Sequence, residues 1–264
     1  MSTALKQRII RSELPSDSNA EPLVMLHGWG LNSGVFDQVA PLLAQSNDVI
    51  LIDLPGFGDN ADVTLTTLEN AVEHIYDSLP TRFSLLGWSL GGLIAQKLAL
   101  TYPESVSSLI CTATTPYFMA QEHEWFGIES KVLQQFETQL ANNYQKTVQR
   151  FLAIQAMGSV SAKADMQELK KAIAHYPAPC EESLLHGLRL LQTVDLRNEI
   201  QQIQCPTLRI YGRLDSLVPY KAVTKIEALQ PRATTIMLQH VSHAPFISDK
   251  ELFARTIMEF MERC

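Results

Sequence analysis

The stretch that most constrains this chain is Phe83-Ser84-Leu85-Leu86-Gly87-Trp88-Ser89-Leu90-Gly91-Gly92-Leu93-Ile94-Ala95. It opens as a short apolar run, the signal of a buried strand. It then continues as a segment able to stay helical until Tyr102-Pro103, where proline stops it. Between the two lies Gly87-Trp88-Ser89-Leu90-Gly91, a G-x-S-x-G pattern. A strand can turn directly into a helix there only if the two backbone arms pass close together, which leaves no room for side chains at Gly87 and Gly91. Ser89 is then held at the tip with its hydroxyl exposed. The N–H of Leu90 opens a helix whose dipole favours negative charge, as an oxyanion donor should. An ordinary Gly-Ser turn would share these residues, so a nucleophilic serine requires a base, an acid and a second oxyanion donor from elsewhere.

The flanking sequence sets the architecture. Leu23-Val24-Met25-Leu26 reads as a buried strand running into His27-Gly28-Trp29-Gly30. Val35, Phe36, Val39, Leu42 and Leu43 recur at helical spacing and predict one helix. Val49-Ile50-Leu51-Ile52 is the next strand and ends in Asp53-Leu54-Pro55-Gly56-Phe57-Gly58. A helix over 65–79 feeds the serine strand, and 106–112 is another strand. This alternation predicts an α/β fold, a mostly parallel twisted sheet with helices on both faces. From Tyr117 to about Gly187 the strand signal vanishes. Segments 130–155 and 162–175 read as helical, broken at Gly158 and at Pro177-Ala178-Pro179. The expectation is a helical lid, 117–187, inserted into a core made of 1–116 and 188–264. The sheet resumes at 207–212, and a last strand, 234–238, precedes a helix over 249–261.

Composition narrows the function classes. The 264 residues, 46% hydrophobic and 19% charged, suit one large globular domain. A net charge of −7 argues against a nucleic-acid partner. No apolar run approaches the ~20 residues of a membrane span. Met1 to Ser18 is polar and lacks a signal-peptide core. Cys111, Cys180, Cys205 and Cys264 are scattered, with no C-x-x-C, and read as free thiols in a reducing cytoplasm.

A serine hydroxyl needs a base. His243 lies in Val241-Ser242-His243-Ala244-Pro245-Phe246, between the last strand and the last helix. Loops that follow parallel strands meet at one edge of the sheet, where Ser89 also lies. His240 is the rival. His74, His123, His175 and His186 fall in helical or inserted segments, and His27 reads as a residue that shapes its loop. For the acid, Asp215 follows the 207–212 strand and is the only carboxylate of Gly212-Arg213-Leu214-Asp215-Ser216-Leu217-Val218-Pro219. Asp53 and Asp195 compete, the first better suited to closing a turn, the second to a helix start or the surface. The second oxyanion donor is assigned to the backbone N–H of Trp29, in the loop after an early strand. The indoles of Trp29 and Trp88 would either wall an acyl pocket or fill the core.

Two other chemistries fit less of the chain. Gly28-x-Gly30, followed by Asp53 at a later strand end, resembles a dinucleotide fingerprint, but Ser33 stands where its third glycine belongs. His240 and His243 lack carboxylate or cysteine partners at metal-ligand spacing. No cofactor or metal is expected.

With Ser89, Asp215 and His243 in that order, the chain resembles the α/β-hydrolases over nearly its whole length. Within them it is similar to the carboxylesterases that hydrolyse the methyl ester of a pimeloyl chain borne on acyl-carrier protein in biotin synthesis. The matching stretches include Leu26-His27-Gly28-Trp29-Gly30-Leu31-Asn32, Asp53 to Gly58, and Leu86 to Leu93. Arg150-Phe151-Leu152-Ala153-Ile154-Gln155, Thr193-Val194-Asp195-Leu196-Arg197 and His243-Ala244-Pro245-Phe246-Ile247-Ser248 match as well. The resemblance implies substrate contacts at Trp29, Ser89, Leu90, Phe151, Leu152, Ala153, Ile154, Gln155 and His243. It further implies a monomer whose lid docks the carrier through Lys146, Arg150, Lys163 and Lys170. Lys146 and Lys163 stand where that family has arginine, and Gln167 where it has a charge. A general short-chain carboxylesterase or a C–C bond hydrolase would share every catalytic residue. A non-catalytic binding protein would be expected to lack one.

Overall fold

The computed structural model describes residues 4–12, 20–157, 159 and 161–264. Gly158, where a break in the helical insertion is expected, lies outside the described residues, as does most of the polar stretch 1–18. Strands β1 (Gln7–Ile10), β2 (Leu23–Leu26), β3 (Val49–Ile52), β4 (Phe83–Trp88), β5 (Val106–Thr112), β6 (Thr207–Gly212) and β7 (Thr234–Leu238) form one sheet in the order β1-β3-β2-β4-β5-β6-β7. β1 pairs antiparallel with β3, and the other pairings are parallel. β2, β3 and β4 are buried at every position because helices cover both faces, and so they read as unbroken apolar runs. β1 escapes sequence reading: Gln-Arg-Ile-Ile is a half-exposed edge strand with little apolar signal.

The helix expected around 35–43 is instead two short pieces, a 3-10 turn over Ser33–Phe36 and helix α1 (Ala40–Leu43). Pro41 explains the break, since proline lacks an N–H and is tolerated only in a first turn. Helices α2 (Leu68–Tyr76) and α3 (Leu90–Thr101) flank β4 in sequence. Between β5 and β6 come α4 (Ser130–Asn142), α5 (Tyr144–Ala156), α6 (Ala162–Ala174) and α7 (Glu181–Thr193). The single helical segment read over 130–155 is thus two helices. Asn143 is extended (φ −163°, ψ 92°) and its side chain caps α5 by accepting the Lys146 N–H at 2.9 Å. α7 runs through position 187. After β6 come α8 (Tyr220–Leu229), the single turn α9 (Pro245–Ser248) and α10 (Lys250–Met261), with Asp249 capping α10 through the Leu252 N–H.

This topology gathers five loops at one sheet edge. β2, β3, β4, β6 and β7 run parallel, so the segments after Leu26, Ile52, Trp88, Gly212 and Leu238 emerge at their carboxyl ends together.

Candidate active site

Ser89 joins β4 to α3 with no spacer, at φ 55° and ψ −118°. A non-glycine residue held in this region costs about 1–3 kcal/mol, which the surrounding packing must offset. The two glycines make the turn feasible. A Cβ at Gly87 would lie 2.4 Å from the Gly91 carbonyl oxygen, and one at Gly91 would lie 2.4 Å from that of His27. The Ser89 carbonyl accepts the Thr114 hydroxyl at 2.7 Å, and its N–H donates to Thr112 at 3.1 Å. Thr114 is a support that the sequence does not advertise, because a lone threonine after a strand carries no motif.

His243 Nε2 lies 2.9 Å from Ser89 Oγ, and its Nδ1 lies 2.7 Å from Asp215 Oδ2. A carboxylate can only accept, so Nδ1 carries the proton and Nε2 is left to take one from the serine. Asp215 is itself fixed: its Oδ1 accepts the N–H groups of Leu217 and Val218 at 2.8 and 3.0 Å. All three side chains are buried, which strengthens these charge-assisted contacts. The rivals lie elsewhere. His240 is exposed. Asp195 forms a forked pair with the Arg197 guanidinium, at 2.9 and 2.6 Å. Asp53 closes a turn by accepting the Ser33 and Asp59 N–H groups.

His27 is wholly buried and holds two loops together. Its Nε2 accepts the Leu54 N–H at 2.9 Å, and its Nδ1–H donates to the Gly28 carbonyl at 2.8 Å. Burial pushes its pKa down, against the opposing pull of Asp53 and the Gly28 carbonyl. The loop it shapes abuts the nucleophile, for a Cβ at Gly28 would come within 3.2 Å of Ser89 Cβ. Among the described residues, neither the Trp29 nor the Leu90 N–H has a hydrogen-bond acceptor.

The two tryptophans differ in their surroundings. Trp88 lies under the His243 loop, donating to the His243 carbonyl at 2.7 Å and meeting Phe246 edge-on at 4.9 Å. Trp29 donates to the Leu184 carbonyl at 2.8 Å and meets Phe151 edge-on at 4.8 Å. Among 151–155, Phe151 is thereby placed against the Trp29 loop, and the Gln155 carbonyl accepts the His243 N–H. Leu152 is buried and Ile154 half-buried. Ala153 points the other way, exposed, and lines a cavity of about 740 Å³ with Lys146 and Arg150. Lys170 also lines that cavity, while Lys163 is exposed on α6.

The chain as a whole matches known proteins. The alpha/beta hydrolase fold family matches residues 21–250. Pimeloyl-[acyl-carrier protein] methyl ester esterase of Aeromonas hydrophila is 46% identical over 241 residues, 90% of this chain and 94% of that protein. The protein of the same name from Photobacterium profundum is 42% identical over 247 residues, 94% of this chain and 97% of its own length. Among solved structures, an esterase from Exiguobacterium antarcticum superposes with a TM-score of 0.83 at 22% identity, covering 98% of this chain and 95% of that one. The chain belongs to the α/β-hydrolase family and, within it, to the pimeloyl-[acyl-carrier protein] methyl ester esterases.

Proposed function

We propose that this protein is a serine carboxylesterase that hydrolyses the methyl ester of a pimeloyl chain carried on acyl-carrier protein, freeing the pimeloyl carboxylate for biotin synthesis. The observation that carries the reading is the unbroken Ser89–His243–Asp215 hydrogen-bond series in a chain 42% and 46% identical to esterases of that name. His243 Nε2 takes the Ser89 proton as Oγ attacks the ester carbonyl, and Asp215 stabilises the imidazolium that forms. The free N–H groups of Trp29 and Leu90 receive the oxyanion. Methanol leaves with the proton from His243. Water then attacks the acyl-enzyme and gives a proton to His243, which passes it to Ser89 Oγ as the ester bond breaks and the carboxylate leaves. Trp29, Leu90, Phe151, Leu152, Ile154 and Gln155 are the substrate contacts, Ala153 is set apart from them on the exposed side of α5, and 117–187 acts as the lid.

The same reading gives the basic face of the lid to the carrier. Asp165 is buried and accepts the Ser248 hydroxyl, and Lys171 pairs with Glu168 at 2.8 Å. Lys146, Arg150, Lys163 and Lys170 have no carboxylate partner among the described residues and are left for an acidic partner. Among the described residues no helix is long and apolar enough to cross a membrane, and the four cysteines are free. Both agree with action in the cytoplasm.

The test is complementation of a biotin auxotroph that lacks its methyl esterase, with wild type and Ser89→Ala compared, beside methanol release from the carrier-borne ester in vitro. Rescue by wild type alone supports the reading. A wild type that fails on the carrier-borne ester but cleaves free short-chain esters or ring-cleavage products would replace it with one of those activities.

A further inference from the structure

Among the described residues five large apolar side chains are exposed, and four of them are linked through contacts with Ser242, Arg213 and Lys221. Phe126 (39% exposed), Met157 (54%), Leu214 (37%) and Tyr220 (42%) come from four separate segments. Ser242 Oγ lies 2.9 Å from the Met157 carbonyl oxygen and 3.3 Å from that of Leu214. The Arg213 guanidinium lies over the Tyr220 ring at 3.7 Å, and Lys221 Nζ is 5.7 Å from the centre of the Phe126 ring. The patch therefore runs from the end of α5, across the loop before Asp215, to the start of α8. Ser242 and Leu214, which hold its centre, are each one residue from a member of the hydrogen-bonded triad.

Contiguous apolar surface rimmed by polar groups marks an interaction site. Two features say what covers this one. Arg213 and Lys221 rest on aromatic rings and have no carboxylate partner among the described residues, so their charge is open to a partner. On a chain of net charge −7 that local sign selects an acidic partner and disfavours a second copy, whose cations would meet these. The patch is also continuous with the basic face of α5. Lys146, Arg150 and Ala153 are spaced to share one side of that helix, all three are exposed, and Met157 caps its end.

We propose that Phe126, Met157, Leu214 and Tyr220, with Arg213 and Lys221, form a second, apolar half of the carrier-protein docking surface. It receives apolar side chains of an acidic carrier while Lys146 and Arg150 hold its carboxylates. The inference rests on the reading that the substrate arrives on such a carrier. It gives the two halves different tasks: charge on α5 brings the carrier in, and apolar contact over the triad loops holds it there.

The test uses Phe126→Ser with Tyr220→Ser, and separately Lys221→Glu, on the full chain. KM and kcat are measured on the carrier-borne pimeloyl methyl ester and on p-nitrophenyl butyrate. Loss of two interfacial aromatics should raise KM for the carrier ester by roughly 10-fold or more, with kcat and the small ester changed less than about twofold. Lys221→Glu should raise the same KM. An unchanged KM in both variants, while Lys146→Glu with Arg150→Glu raises it, would overturn the apolar half and leave the carrier reading standing. Equal losses on both substrates would make the patch a support for the triad loops. Sedimentation showing a wild-type dimer and a monomeric double variant would assign it to self-association. A wild type inert on the carrier ester removes the reading and this inference together.

Discussion

The carbonyl of Gln155, near the end of α5, accepts the backbone N–H of His243 at 3.3 Å. Two residues on, the Met157 carbonyl accepts from Ser242 Oγ. The histidine loop is thus tied to the helical insertion as well as to the sheet. The position of Nε2 against Ser89 Oγ depends on both. The same residue holds an anomaly. The Gln155 side chain is fully buried, yet among the described residues neither its Nε2 nor its Oε1 has a hydrogen-bond partner.

Leaving a buried amide unsatisfied costs about 1–3 kcal/mol, and an apolar residue of similar shape avoids that cost. Gln155→Leu should therefore leave the melting temperature unchanged or raise it. If the amide is kept for a polar group of the substrate, kcat/KM for the pimeloyl ester should fall by ~10-fold or more, the cost of one lost buried hydrogen bond. A faster and more stable Gln155→Leu protein would mean that the amide has no substrate partner.

The triad should behave as one unit. Ser89→Ala, His243→Ala and Asp215→Asn should each lower ester hydrolysis by at least ~10³-fold with folding intact, and combining them should add little. Circular dichroism and steady-state rates on one ester decide this. An active His243→Ala would show that another group serves as base.

Gly187 tests the contact between α7 and the candidate oxyanion loop. A Cβ there would lie 2.6 Å from Trp29 Cδ1 and 3.4 Å from Leu90 Cδ2. Gly187→Val should push Trp29, and with it the candidate donor in its loop, off position, and a shift of about 1 Å can cost ~10²-fold in rate. The loss should fall on kcat more than on KM, because the oxyanion exists only in the transition state. Near-normal kcat in a folded Gly187→Val protein would place the oxyanion donors elsewhere.

The strand that ends at Ser89 is legible because it is buried at every position and reads as an apolar run. β6 carries a buried arginine and β7 is a half-exposed edge strand, so the segments before Asp215 and His243 are read from their β-branched residues and their place in the strand–helix order. The triad was legible because chain order, together with the rule that parallel strands end at one edge, leaves few candidates. What escaped was set by contacts distant in sequence. β1 is an edge strand with one half-hidden face, so Gln7–Ile10 has no distinctive period. The break at Asn143 depends on one side chain capping Lys146, and the role of Gly187 on Trp29 arriving from another element. The surroundings of Trp88 depend on the His243 carbonyl, 155 positions away. Periodicity reports burial within a segment and is silent on such partners.

His27 gives the fold a pH dependence separate from catalysis. Burial lowers its folded-state pKa below the ordinary 6.5. Above pH 6.5 both folded and unfolded chains hold it neutral, and its contribution to stability is fully present. As pH falls below that value the unfolded chain takes up a proton that the folded chain refuses. Stability is then lost until the folded pKa is reached. Melting temperatures from pH 8 to 5 should decline, and His27→Gln should flatten the decline even if it lowers stability at pH 8. An identical slope in wild type and His27→Gln would assign the acid sensitivity to another group.

The basic face of the insertion should act on encounter and leave the chemistry alone. Lys146 and Arg150 are four residues apart on α5, so they share an exposed side. Arg150 is steadied by the Gln139 side chain at 3.0 Å and by the Phe136 ring, contacts that leave its charge uncompensated. Phe151, the next residue, turns inward to Trp29, so one helical turn can touch both the carrier and the acyl chain. Complementary charge raises association rates and is screened beyond about 8 Å at physiological ionic strength. The wild type should therefore lose kcat/KM on the carrier-borne ester as salt is added, while p-nitrophenyl butyrate is indifferent. Lys146→Glu with Arg150→Glu should weaken the carrier reaction by ~10-fold or more at low salt and remove most of its salt dependence. Equal losses on both substrates would point to a misfolded insertion. A carrier reaction untouched by the double reversal would put the docking surface on another face.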